Sequence, residues 1–138
     1  MSFEYLDHTA DIIVHAKGKD LKEAFEQAAL GFYQVITNLE QITPTEEISF
    51  TIESEDIQAL LYDFIDQLIF LIDTKYFISN SIEVLKLEHI NEEKYFLDVK
   101  LHVEEFQIGK HEQKTEVKAM TYSFMKIGEN FVEFTLDL

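Results

Sequence analysis

The chain has 138 residues, 46% of them hydrophobic and 28% charged, which bounds it to one ordinary globular domain with a real core. Cysteine is absent, so neither a disulfide framework nor a thiolate metal site is available. Twenty-seven Asp and Glu face eleven Lys and no Arg, for a formal charge of −16, a surface that repels phosphate backbones and argues against direct, tight nucleic-acid binding.

The opening stretch "MSFEYLDHTAD" has no basic start and no apolar run, so no secretory leader is expected. The longest aliphatic and aromatic run, "LIFLI" at 68–72, is far too short to cross a bilayer. An intracellular protein, cytoplasmic or nuclear and not membrane-bound, is the expectation. The acidic field suits divalent cations or the basic face of another protein.

"FEYL" and "IIVHAK" read as two strands around the polar turn "DHTAD" at 7–11. The turn itself accounts for Asp7, His8 and Thr9 as local hydrogen-bonding residues, and whether Asp7 and His8 do more is left open. In "DLKEAFEQAALGFYQVITN" (20–38) the apolar residues Leu21, Ala24, Phe25, Ala28, Phe32, Val35 and Ile36 recur at helical spacing. Asp20 stands at the N-cap with Glu23 three residues on.

Pro44 marks a loop, and "EISFTIE" then alternates as a half-buried strand. "SEDIQALLYDFIDQLIFLIDTKYF" (54–77) carries a broad apolar stripe, with Asp63, Asp66 and Asp73 off it. "SIEVLKLEHI" and "KYFLDVKLHV" flank a hairpin turn, and "EVKAMTYSFMKI" and "FVEFTLDL" make a last strand pair. The expected fold class is α+β: one domain over 1–138 with two main helices on a mostly antiparallel or mixed sheet.

In the final strand Val132, Phe134 and Leu136 point inward, leaving Glu133, Thr135 and Asp137 on the other face. Asp137 stands beside Leu138 and its α-carboxylate. A strand that reaches the last residue is unusual, because termini fray. Asp11, Asp137 and the Leu138 carboxylate together would make an oxygen site for a hard cation such as Ca²⁺ or Mg²⁺; a solvated terminus and a simple turn explain the same residues. Elsewhere His15 and His102 lack an evident partner, and Asp63 with Asp66 fits an exposed helical face. "GKHEQKTEVK" (109–118) gathers Lys110, Lys114 and Lys118 around His111 and reads as a solvated loop that relieves the acidity. P-loop, G-x-G-x-x-G, G-x-S-x-G and H-E-x-x-H signatures are missing.

Five blocks nevertheless occur together in a recognisable order: "YLDHTADI", "LKEAFEQAALGFY", "LLYDFIDQLIFLIDT", "EVKAMTY" and the terminal "DL". End to end, the chain resembles the archease family. The resemblance implies strand–helix–strand–strand units, one inserted in another. It also implies that the protein is not an enzyme but an activator of an RtcB-type RNA ligase in tRNA splicing, promoting ligase guanylylation and repeated turnover.

By the same resemblance, Asp11, Asp137 and Leu138 would hold a divalent cation, Ca²⁺ first and Mg²⁺ or Mn²⁺ as alternatives, and Lys118 would be linked to activity with no catalytic residue in the chain. Ser123 stands where some members carry His, and Phe64 where a tryptophan is usual. Two other readings stay open: a chaperone-like modulator of a tRNA methyltransferase, and a small metal-dependent hydrolase using the same carboxylates.

Overall fold

The computed structural model describes residues 1–6 and 11–138. Strands β1 (Ser2–Leu6) and β2 (Asp11–Lys17) pair antiparallel. Helix α1 (Leu21–Ile36) starts on a reciprocal cap: the Asp20 carboxylate accepts the Glu23 N–H at 2.9 Å, and the Glu23 carboxylate accepts the Lys19 N–H at 2.9 Å. One otherwise orphaned helix-end donor, the Glu23 N–H, is thereby satisfied, and the chain just ahead of the cap is held as well. Ala24, Ala28 and Ala29 on its buried face let Phe25, Phe32 and Tyr33 reach deep into the core.

Strand β3 (Glu46–Ser54) leads into α2 (Ile57–Lys75). The helix contains the whole apolar stripe but stops short of both ends of the stretch 54–77. Asp56 caps it by accepting the Ala59 N–H at 2.7 Å, and Tyr76 closes it in the left-handed conformation at φ 59°. Strands β4 (Phe77–Asn91) and β5 (Lys94–Glu105) form the long hairpin, and β6 (Ala119–Ile127) and β7 (Phe131–Asp137) the last pair.

The fold is α+β, and its strands divide into two antiparallel sheets, ordered β1-β2-β7-β6 and β3-β5-β4, rather than lying in a single one. The apolar stripe of α2 explains the division. Leu60, Leu61, Phe64, Ile65 and Leu68 are all fully buried, a face too wide for one neighbour. Helix α2 packs on β3 and β6, and α1 on β2 and β4, so each helix joins both sheets. Phe64 stacks on Phe25 at 5.7 Å and meets Phe50 at 6.4 Å, so three elements share one aromatic cluster.

Strand β7 lies between β2 and β6. Val132, Phe134 and Leu136 are fully buried, as the alternation predicts, but so is Thr135, and Glu133 is nearly so. The second face is covered because β6 folds back on it: the Thr135 hydroxyl donates to the Ser123 carbonyl at 2.7 Å. Among the described residues, no helix is long and apolar enough to cross a membrane.

Candidate functional site

Antiparallel pairing of β2 with β7 runs from Lys17 opposite Phe131 to Asp11 opposite Asp137. Directly opposed residues project to the same face of a sheet, with Cβ atoms about 5 Å apart. Asp11 and Asp137 therefore share the face away from the core, at the end of the four-stranded sheet. On the other side of β7, Asp137 pairs with Ala119, and the Lys118 N–H donates to the Asp137 carbonyl at 2.8 Å.

Three of the residues singled out in the sequence thus meet at one sheet end. Leu138 follows directly, half-buried and packed against the core, which anchors this end of the chain. Lys118 is exposed. Asp7, His8, Thr9 and Ala10 of the polar turn lie outside the described residues.

Two facing carboxylates repel unless a positive charge compensates them. Their donor set, carboxylate oxygens without sulfur or imidazole, fits a hard divalent ion better than a soft one. No group of three or more His, Cys, Asp or Glu side chains suited to a metal occurs among the described residues. The two aspartates would need the Leu138 carboxylate, backbone oxygens or water to complete a coordination shell.

Further along the same face, the pairing brings His15 opposite Glu133. The ring Nδ1 lies 3.0 Å from the carboxylate, and the ring stacks on Phe131 at 5.4 Å. His15 is therefore a structural histidine. The alternation had already set Glu133 and Asp137 on one face; only the register of β2 against β7 was missing. His102 likewise meets Glu83 at 2.8 Å, and this hydrogen bond holds the Glu83 carboxyl below its ordinary range. Asp63 accepts the Ser54 hydroxyl at 2.6 Å, tying the start of α2 to β3.

The segment from 109 to 118 is a largely exposed loop, as expected, but it is pinned to the core by buried His111 and Val117. His111 is buried beside Glu104, whose side chain is only 3% exposed. The Gln107 N–H donates to His111 Nδ1 at 2.9 Å, so the ring proton sits on Nε2 and is donated to Glu104 at 2.8 Å. Glu104 also accepts the Thr43 N–H at 2.8 Å and the Lys110 ammonium. Burial pushes its carboxyl up, yet these three donors outweigh burial and bring it down to about 2. Lys114 donates its ammonium to the Gln34 carbonyl at 2.6 Å and its N–H to that of Ile36. Lys110 and Lys114, though exposed, are bonded in holding the segment against the core, and Lys118 is the exposed lysine of the motif that ends it.

Beside that segment lies an apolar groove of about 170 Å³, floored by Phe32, Ile69, Ile72 and Phe106 and edged by Asp73 and Glu116.

A profile of the Archease protein family matches residues 3–138. The protein is 42% identical over 128 residues to Protein archease of Danio rerio, covering 92% of this chain and 77% of that one. It is 42% identical over 125 residues to Protein archease of Pyrococcus furiosus, covering 91% and 87%. The solution structure of protein 1598 from Methanobacterium thermoautotrophicum superposes with a TM-score of 0.85 at 35% identity, covering 99% of each chain. With the family profile spanning nearly every residue and the fold shared throughout, the chain belongs to the archease family.

Proposed function

We propose that this protein is a non-catalytic activator of an RtcB-type RNA ligase in tRNA splicing, and that its sheet end of Asp11, Asp137 and the Leu138 carboxylate holds a divalent cation, Ca²⁺ foremost, when it acts. Family membership supports the ligase reading. The observation that carries the site is the direct opposition of Asp11 and Asp137. A bound cation would supply positive charge beside two carboxylates set on one sheet face.

Everything else belongs to the chain. Asp137 is paired with a strand on each side, so the carboxylates are set on a sheet rather than on a free end. Lys118 stands at the same end, joined through its N–H to the Asp137 carbonyl. An acidic protein of this kind acts on a basic, RNA-binding enzyme by binding one of its states better than another. It thereby shifts the ligase toward the form competent for nucleotidyl transfer.

The test is RNA ligation with substrate in excess over the cognate ligase. Wild-type protein should convert limited turnover into repeated turnover, while Asp11→Ala, folded by circular dichroism, should not. Full activation by Asp11→Ala would remove the site from the mechanism. Unchanged turnover with wild type and an active ligase would remove the ligase itself, and co-purification of a tRNA methyltransferase would then point to the modulator role.

A further inference from the structure

Tyr62 of α2 and Tyr122 of β6 stack face to face at the surface, with ring centroids 4.5 Å apart and planes 11° from parallel. Tyr122 remains 55% exposed. It opens an irregularity in β6: Thr121 pairs with Thr135 and Lys126 with Glu133, so residues 122–125 stand against Phe134 alone. Phe124 within it is 63% exposed and adopts φ 56°, a left-handed conformation that a bulky side chain rarely takes. The irregularity is pinned by bonds from the Ser123 N–H to the Thr121 hydroxyl at 3.2 Å and from the Thr135 hydroxyl to the Ser123 carbonyl at 2.7 Å. Strain held in place by such bonds belongs with built surfaces rather than slack loops.

The charge around the rings is of one sign. Asp56 and Asp63 are fixed by their bonds to the Ala59 N–H and the Ser54 hydroxyl. Asp66 is exposed one helical turn beyond Tyr62, and Phe70, 55% exposed, follows a turn later. Burial raises the Tyr122 phenol above its ordinary range, and the negative charges of Asp63, Asp56 and Glu55 add to the rise.

An exposed ring, Tyr122, backed by half-buried Tyr62 and flanked by carboxylates, selects a flat cation, which can stack on the ring while donating to an oxygen. A nucleic acid would bring phosphates into this field. A second copy would bring a chain with no Arg and a net charge of −16. A basic protein segment is the complementary occupant. We infer that the Tyr62–Tyr122 stack with Asp63 and Asp66 is a docking site for an arginine side chain of a basic protein partner; that this partner is the ligase rests on the function proposed above.

The direct test is local and needs no ligase. A short peptide with two arginines should move the Tyr62 and Tyr122 ring resonances, and the same peptide with citrulline, an uncharged analogue of arginine, should not. Binding should weaken roughly five- to thirty-fold in Tyr122→Leu, which keeps apolar bulk but loses the ring, and stay within about twofold in Tyr122→Phe. Asp63→Asn should weaken it and flatten its salt dependence.

If the arginine peptide leaves both rings unmoved, or if citrulline or a tRNA half moves them equally, the docking site is wrong whatever the ligase does. If the peptide binds as described but wild-type protein neither binds nor activates the ligase, the docking site stands and the ligase reading falls.

Discussion

Asp11 faces Asp137 across the β2–β7 pairing, so the first residue of β2 and the last of β7 share one edge of charge. A cation bound there stabilises the folded state by mass action, about 2.7 kcal/mol at a hundredfold excess over its dissociation constant. For a domain of this size that is a rise in Tm of roughly 5–10 °C. The measurement is a thermal melt in EDTA against rising Ca²⁺, repeated with Mg²⁺. Asp137→Asn should abolish the cation response. Without cation, the same variant should melt within about 1 kcal/mol of wild type, since the change removes one charge and keeps the side-chain shape. A melting curve indifferent to Ca²⁺, Mg²⁺ and EDTA alike would rule the cation out.

Glu104 gives the fold an acid-sensitive staple. Its carboxyl is held at about 2 in the folded protein, while the unfolded chain has an ordinary carboxyl. A depressed folded value means that the stabilisation is fully present above the unfolded value. It is lost as pH falls from there through about 2. The group is buried, and the amount at stake is on the order of 3 kcal/mol. Urea unfolding at pH 6 and pH 3 should show wild type losing part of this. Glu104→Gln should start lower by about 2–3 kcal/mol and lose less on acidification, because its amide cannot answer both His111 and Lys110. Equal pH slopes for the two proteins would show that the staple does not titrate as described.

Gly31 sits where α1 presses on the sheet. A Cβ added there would lie 2.9 Å from Val14 Cγ1 and 3.2 Å from the Phe3 ring. Its carbonyl also accepts the Tyr5 hydroxyl at 2.9 Å, a phenol that burial pushes up to about 12. In an open helix Gly→Ala gains about 1 kcal/mol. Here overpacking should outweigh that gain, leaving Gly31→Ala destabilised by about 1–2 kcal/mol in equilibrium unfolding. A more stable variant would mean that β1 yields without cost.

Much of this architecture was legible because it rests on local rules. The Asp20 cap, the stripe of α2 and the alternation of β7 each follow from periodicities that a few residues carry. The division into two sheets was not legible, because alternation says which face of a strand is buried and nothing about its neighbour. For the same reason Glu133 and His15 were visible separately but not as a pair, until register joined them. His111 misled because a stretch of Lys, His and Glu reads as solvent-loving. It is buried beside Glu104, a near neighbour in the chain at the end of β5, whose carboxylate is turned inward and also bonded by the distant Thr43 N–H, a turn that composition does not show. For the candidate cation site, residue types and spacing raised the possibility and the family resemblance sharpened it. The opposition of Asp11 and Asp137 is what register adds.

Tyr33 carries the clearest unmet demand in the core. Its side chain is fully buried, and among the described residues its hydroxyl has no hydrogen-bond partner. Burial drives the phenol far above its ordinary range, the signature of an oxygen cut off from solvent. The ring meets Phe32 edge-on at 5.0 Å, so the aromatic body packs well and only the oxygen is stranded. Leaving a buried hydroxyl unpaired costs about 1–3 kcal/mol. Tyr33→Phe removes the oxygen without opening a methyl-sized void, so it should raise stability by about 1 kcal/mol, read as a higher urea midpoint at unchanged slope. The core position is remote in kind from the exposed Tyr62–Tyr122 pair, and the variant should leave ligase activation at the wild-type level. A lower midpoint would instead reveal that the hydroxyl finds a partner within the fold, and the position would then be a polar anchor of α1 rather than an unsatisfied one.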